Sequence, residues 1–344
     1  MTQDYSAIIQ AGYKKRRTRR RMASGLLLLV VLGLCALMLI KGNTDYPLSI
    51  VFRVLRGEKI QGAAYAIHAL RLPRMLAGLL AGIAFGMAGN TFQTMLKNPL
   101  ASPDIIGITA GSSAAAVFCI LMLHLSGSVV SIAALAAGLT VALFVYAMSR
   151  GGRFSGGRLI LIGIGVQAML GAFVSYMLLK GSEYDVPTAL RWMRGSLNSA
   201  QMRDVPSLLA AVAVCGSGIL LLTRHLGILE LGEDAATTLG LKTNLTRILL
   251  IICAVLLISF ATAATGPVAF VAFLAGPIAK KLAGASSPAA VPSALVGAVL
   301  VLGADLIGQF AFATRYPVGV ITGILGAPYL IFLLIRVNRR GGAA

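Results

Sequence analysis

The sequence predicts an all-α membrane protein of about ten transmembrane helices, and three observations carry that expectation. Of its 344 residues, 58% are hydrophobic and 12% charged, with a mean hydropathy of +0.87; a soluble domain carries about 25% charged residues. Apolar runs recur at close to the ~20 residues that cross a bilayer core. The basic residues behind the net charge of +19 lie at the ends of those runs. They form no basic face on a soluble fold, which excludes nucleic acid as the partner they serve.

The first span, Ser24–Ile40, follows Lys14, Lys15, Arg16, Arg17, Arg19, Arg20 and Arg21. A secretory signal would continue into a small-residue cleavage site, but Lys41-Gly42-Asn43-Thr44-Asp45 follows instead. This reads as a retained helix with a cytoplasmic basic flank. Further apolar segments follow at Leu72–Leu96, Ile105–Leu125, Val129–Met148, Leu159–Leu179, Leu208–Thr223, Ile248–Ala264, Val291–Ala313 and Val318–Ile335. The tail is basic too (Arg336, Arg339, Arg340), so both termini are expected in the cytoplasm and the number of crossings must be even. Gly266–Leu282, broken by Pro267, Gly276 and Pro277, supplies the tenth crossing. The chain then divides into a basic segment 1–23, a ten-helix domain 24–335 and a basic tail 336–344. The cytoplasmic side would hold 19 of the 30 basic residues.

Glycines 78, 82, 86 and 89 fall on one face of the second span, and Gly163, Gly165 and Gly171 recur in the fifth. Small residues let membrane helices approach closely, which is the expected role of both sets; the alternative is a smooth wall along a wide pathway.

Ionisable groups inside the spans are scarce. Asp305 is the one acidic residue well inside an apolar run, and such a group is a functional candidate by default. Asn90, Gln93, Gln167 and Gln309 are the other notable polar side chains. Cys35, Cys119, Cys215 and Cys253 sit singly in different runs, and His68, His124 and His225 are scattered, so no metal site is expected. Zinc-protease, nucleophile-elbow and P-loop motifs are missing. The chain is thus expected to be no enzyme, and the energy for transport must come from a gradient or another subunit.

Two polar segments stand out. Lys41 to Arg74 holds Lys41, Arg53, Arg56, Lys59, Arg71 and Arg74 against Asp45 and Glu58. It reads either as a docking surface for an acidic partner or as snorkelling side chains at helix ends. Residues 224–247 mix Glu230, Glu233 and Asp234 with small residues and glycines, predicting one or two short surface helices that dock a soluble partner.

Together these motifs resemble the permease subunits of ATP-binding-cassette importers for iron-siderophores and cobalamin. The matching residues are Arg71-Leu72-Pro73-Arg74, Gly89-Asn90-Thr91-Phe92-Gln93, Asn98-Pro99-Leu100-Ala101-Ser102-Pro103-Asp104 with Gly107, and Trp192 with Gly195-Ser196-Leu197. They continue with Leu229-Glu230-Leu231-Gly232-Glu233-Asp234-Ala235-Ala236, Leu239-Gly240, Gly266-Pro267, Ala304-Asp305, Pro317-Val318-Gly319-Val320 and Gly326-Ala327-Pro328. The run Arg158–Gly171 looks most like the ferric-enterobactin type.

The resemblance implies a type II importer fold with two permease subunits, two ATPase subunits that carry ATP and magnesium, and a periplasmic or lipid-anchored binding protein. This chain would itself hold no cofactor and would be surrounded by membrane lipid. Residues 224–247 match the element that fits the ATPase cleft, notably Leu229, Glu230, Gly232, Glu233, Asp234, Ala235, Ala236, Leu239 and Gly240. Arg71 and Arg74 match arginines that meet the binding protein, with Arg53, Arg56 and Arg315 as further docking cations. Three positions depart from the family: Gly276-Pro277-Ile278-Ala279-Lys280, Gln309 in place of Arg, and Arg315 in place of Glu. They favour a heterodimer of permeases over a homodimer. The expected function is import of a ferric siderophore, a catecholate, across the bacterial inner membrane by alternating access, with Asn90, Gln93, Gln167 and Tyr176 along the pathway. The alternatives are a cobalamin or heme permease of the same family and a stand-alone secondary transporter. The missing carboxylate relay argues against the latter.

Overall fold

The computed structural model describes residues 2–149, 156–284 and 289–341, and among these every regular element is helical. Part of the predicted basic tail, residues 342–344, lies outside the described residues. In chain order the helices are α1 (Thr2–Ile40), α2 (Leu48–Leu55), α3 (Ala63–Met95), α4 (Ile108–Leu121) and α5 (Ser128–Ser149). Next come α6 (Gly156–Lys180), α7 (Val186–Met193), α8 (Met202–Leu221), α9 (Thr223–Leu229) and α10 (Glu233–Thr238). The last four are α11 (Thr243–Thr265), α12 (Val271–Ala283), α13 (Ala290–Phe310) and α14 (Val318–Gly341).

Seven of these (α1, α3, α5, α6, α8, α11 and α13) are long and apolar enough to cross a membrane. The shorter apolar helix α4, the apolar part Val318–Leu333 of α14 and the 13-residue α12 coincide with the remaining three expected spans. At about 1.5 Å per residue, α12 is about 20 Å long and the hydrocarbon core is ~30 Å thick. The extended turn through Gly266 and Pro267 covers the rest of the expected tenth span.

α3 begins earlier than its apolar run indicates, and the reason is Pro73. A proline ring within a helix clashes with the carbonyl four residues back. A π-helical turn over Ala66–Arg71 widens the helix just before it, so the helix continues upstream. Arg71 consequently lies within a helix and not at its start.

α3 is the centre of the subunit, enclosed by α11, α12 and α13. Its glycines make that possible. A Cβ on Gly82 would lie 2.6 Å from the Ala298 Cα, on Gly86 2.1 Å from the Ser293 carbonyl oxygen, and on Gly89 1.8 Å from that of Ala272. Backbone sits in each of these places, so no side chain can yield. Gly165 and Gly171 have no such neighbour within this chain. A Cβ on either meets nothing within 4 Å, because α6 turns that face away from its own chain. Gly89→Val is therefore expected to abolish recovery of monodisperse protein from membranes. Gly171→Ala should leave recovery unchanged, and both are read by size-exclusion chromatography in detergent.

The cysteines were expected to be isolated. All four are free thiols, but Cys215 on α8 and Cys253 on α11 lie close to each other across the helix boundary.

Candidate functional site

On the face where α8 ends and α11 begins, the chain folds into the two short helices α9 and α10, separated by Gly232 at a φ of +125°. Leu226, Leu229 and Ala236 turn inward, and Ala236 is completely buried. Two ion pairs anchor the element: Glu230 Oε1 to Lys280 Nζ at the end of α12, and Glu233 Oε2 to Arg247 Nη1 on α11, each 3.2 Å. Glu233 and Asp234 occupy the first turn of α10, where acidic groups complement the helix dipole. Leu231, Asp234, Ala235, Leu239 and Gly240 face outward. Both leucines are about two-thirds exposed, at 66% and 63%. A small alanine between two exposed leucines is a shape a partner's cleft can close over. The structure corrects one expectation here: Ala235 and Ala236 are not equivalent, since helical geometry sends only Ala235 outward.

At the opposite end, the basic residues read as outward-pointing are mostly engaged within the chain. Arg74 grips Asp305 with two bonds, Nε to Oδ2 at 2.8 Å and Nη2 to Oδ1 at 2.7 Å. Its Nη1 donates to Asn198 Oδ1 at 2.6 Å, and Gln309 Nε2 donates to Asp305 Oδ2 at 2.6 Å. Asp305 is 1% exposed. The one intramembrane carboxylate is therefore one half of an ion pair joining α3 to α13.

Arg71 donates to the carbonyl oxygens of Leu39, Ile40 and Thr44, at 2.8, 2.7 and 2.5 Å, and lies over the Tyr46 ring. It satisfies the carbonyls left open where α1 ends. Arg53 pairs with Glu58 at 2.7 Å, and Arg315 donates to Asn43 Oδ1. Arg56 is exposed.

Lys41, Arg71, Arg74, Asn198, Gln309 and Arg315, but neither Arg53 nor Arg56, line a cavity of about 460 Å³. Its charges are unequally balanced. Asp305 offsets Arg74, and Asp45 offsets Lys41 at 2.6 Å. That ammonium, with the Gly42 N–H, holds the Asp45 carboxyl below the usual carboxylate range. The hydrogen bonds of Arg71 and Arg315 go to neutral oxygens, so the cavity stays cationic.

Two pathway candidates are corrected. Asn90 is 0% and Gln93 3% exposed, both enclosed by their own chain because α3 is the central helix. Gln93 has a structural task. Pro277 lacks the N–H that would bond the Phe273 carbonyl four residues back, and Gln93 Nε2 donates to that carbonyl at 2.8 Å. Gly276 leaves it room, since a Cβ there would lie 1.9 Å from Gln93 Oε1. Gln167 and Tyr176 are exposed on α6 and remain available to a pathway or a second subunit.

Three separated motifs converge on one node. Ser196 N–H donates to the Thr265 carbonyl at 2.7 Å, and Gly319 N–H to that of Gly195 at 3.2 Å. A Cβ on Gly266 would lie 2.5 Å from the Trp192 carbonyl oxygen. Sequence reasoning missed Asn198, Asn43 and Lys280 as partners. Only Lys280 had a signal, as part of a departure from the family pattern.

Residues 27–336 match the FecCD transport family, and the chain belongs to that family. It is 35% identical over 327 residues to the ferric enterobactin transport system permease protein FepG of Escherichia coli (strain K12), covering 94% of this chain and 98% of that one. To FepD of the same system it is 36% identical over 331 residues, 95% and 98% of the two chains. A solved structure of a metal-chelate type ABC transporter superposes with a TM-score of 0.81 at 24% identity, over 92% of this chain and 99% of that one. The fold is that of a type II importer permease. The chain is a transport permease of the ABC-importer type, as its family and its relatives are.

Proposed function

We propose that this permease carries a ferric catecholate siderophore across the bacterial inner membrane, with both termini in the cytoplasm. The cargo reading rests on the two ferric enterobactin permeases, each aligned over nearly its whole length. α9 and α10 engage an ATPase subunit that binds ATP and magnesium. Closure of the ATPase pair switches the pathway between outward and inward access. A siderophore-binding protein docks over the cationic cavity, where Arg71 and Arg315 offer charge not already taken by a carboxylate. A second permease completes the pathway along α6, whose Gln167 and Tyr176 face away from this chain. The similar match to both FepG and FepD supports a heterodimer.

The test is growth of a deletion strain on iron supplied by one siderophore at a time, with cobalamin uptake measured in parallel. Growth on a catecholate should be lost and restored by the gene. Loss of cobalamin uptake with all ferric chelates still used would overturn the cargo assignment.

A further inference from the structure

We propose that the groove between the N-terminal half of α1 and the C-terminal end of α12 binds an anionic phospholipid of the leaflet this basic end meets. α1 has 39 residues, about 58 Å of helix, against a hydrocarbon core of ~30 Å. Its apolar part begins at Met22 and ends at Ile40, about 28 Å, which fills that core. The turns carrying Lys14 to Arg21 therefore stand at headgroup depth. No acidic residue occurs between Asp4 and Asp45, so nothing in the sequence of α1 beyond Asp4 offsets this charge.

Arg19 fixes the geometry. Its Nε donates to the Leu282 carbonyl at 3.1 Å and its Nη2 to that of Lys281 at 2.9 Å, closing carbonyls left open where α12 ends. Beside this tether is a groove of about 880 Å³ whose lining includes Lys14, Lys15, Thr18, Met22, Leu26 and Leu282. On α1, Lys14 and Lys15 lie one turn before Thr18, and Thr18, Met22 and Leu26 follow at four-residue spacing, so they share one face. The floor is apolar and open: Met22, Leu26 and Leu282 are 69%, 65% and 45% exposed. The mouth is cationic, with Lys15 about 10 Å up the helix from Met22. A phosphate at Lys14 and Lys15 places its acyl chain along Met22, Leu26 and Leu282. An acidic peptide would match the mouth and waste the floor. A zwitterionic lipid would match the floor and bring its own cation to the mouth.

The test is native mass spectrometry of the full-length protein titrated with phosphatidylglycerol or phosphatidylcholine. Phosphatidylglycerol should be retained selectively by the unmodified protein. Lys14→Gln with Lys15→Gln should weaken it about thirty-fold, at about five-fold per cation near a membrane surface. Arg16→Gln with Arg17→Gln removes the same charge from positions centred opposite the groove and outside its lining, and should change retention less than two-fold. Equal weakening by the two pairs would mean diffuse polybasic attraction and overturn the groove. Equal retention of the two lipids by the unmodified protein would overturn it without reference to any variant.

Discussion

Asp305→Ala is expected to destabilise the protein by about 3 kcal/mol, the lower end of the 3–5 kcal/mol seen when one partner of a buried ion pair is removed. The carboxylate takes two bonds from Arg74 and one from Gln309 at 1% exposure. Its loss strands a guanidinium in a space built for a pair. The Arg74 side chain keeps 18% exposure and its bond to Asn198, which is why the lower figure applies. Thermal inactivation in detergent measures the effect, and an unchanged midpoint would show that the pair does not hold α3 to α13.

Removing both charges should cost far less, because well-packed apolar side chains can replace a buried pair at little or no loss. Arg74→Met with Asp305→Leu should therefore recover most of the lost stability. That double variant separates two roles for Arg74. If uptake returns with the fold, the arginine serves architecture alone. If the protein is stable and binding-protein affinity is lost, Arg74 also serves docking.

The helices were legible because most leave an apolar run of about the length that crosses a bilayer, and the broken run Gly266–Leu282 folds as the short helix α12. Glycine spacing marked the tightly packed face of α3, whereas in α6 Gly165 and Gly171 meet no helix of their own chain. Spacing gives a face; it does not say whether another helix of the same chain lies opposite. Rotation of α3 was unreadable for a related reason: a helix enclosed all round has little apolar asymmetry. Polar Asn90 and Gln93 thus suggested a pathway, yet Gln93 repairs the hydrogen bond that Pro277 removes. The Asp305 partner was hidden differently. Arg74 was visible and read as a docking cation, but the pairing spans 231 residues of chain and needs the tertiary fold. The surface element over residues 224–247 was legible as short helices from its glycines, but not the inward turn of Ala236.

That last distinction makes the sharpest functional test. Ala235→Trp should abolish uptake and co-purification of an ATPase subunit while leaving normal amounts of protein in the membrane. Ala235 is exposed between Leu231 and Leu239, so an indole there meets no atom of its own core and instead blocks a close-packed seat. Ala236→Trp should behave oppositely. Its site is fully buried beneath α10, and overpacking a filled core forces the element out of place. That variant should lower protein abundance before any question of partnership arises. Membrane abundance, ATPase recovery and uptake measured together on both variants decide the matter. Normal ATPase recovery and uptake with Ala235→Trp would remove α9 and α10 from the coupling mechanism, whatever Ala236→Trp does.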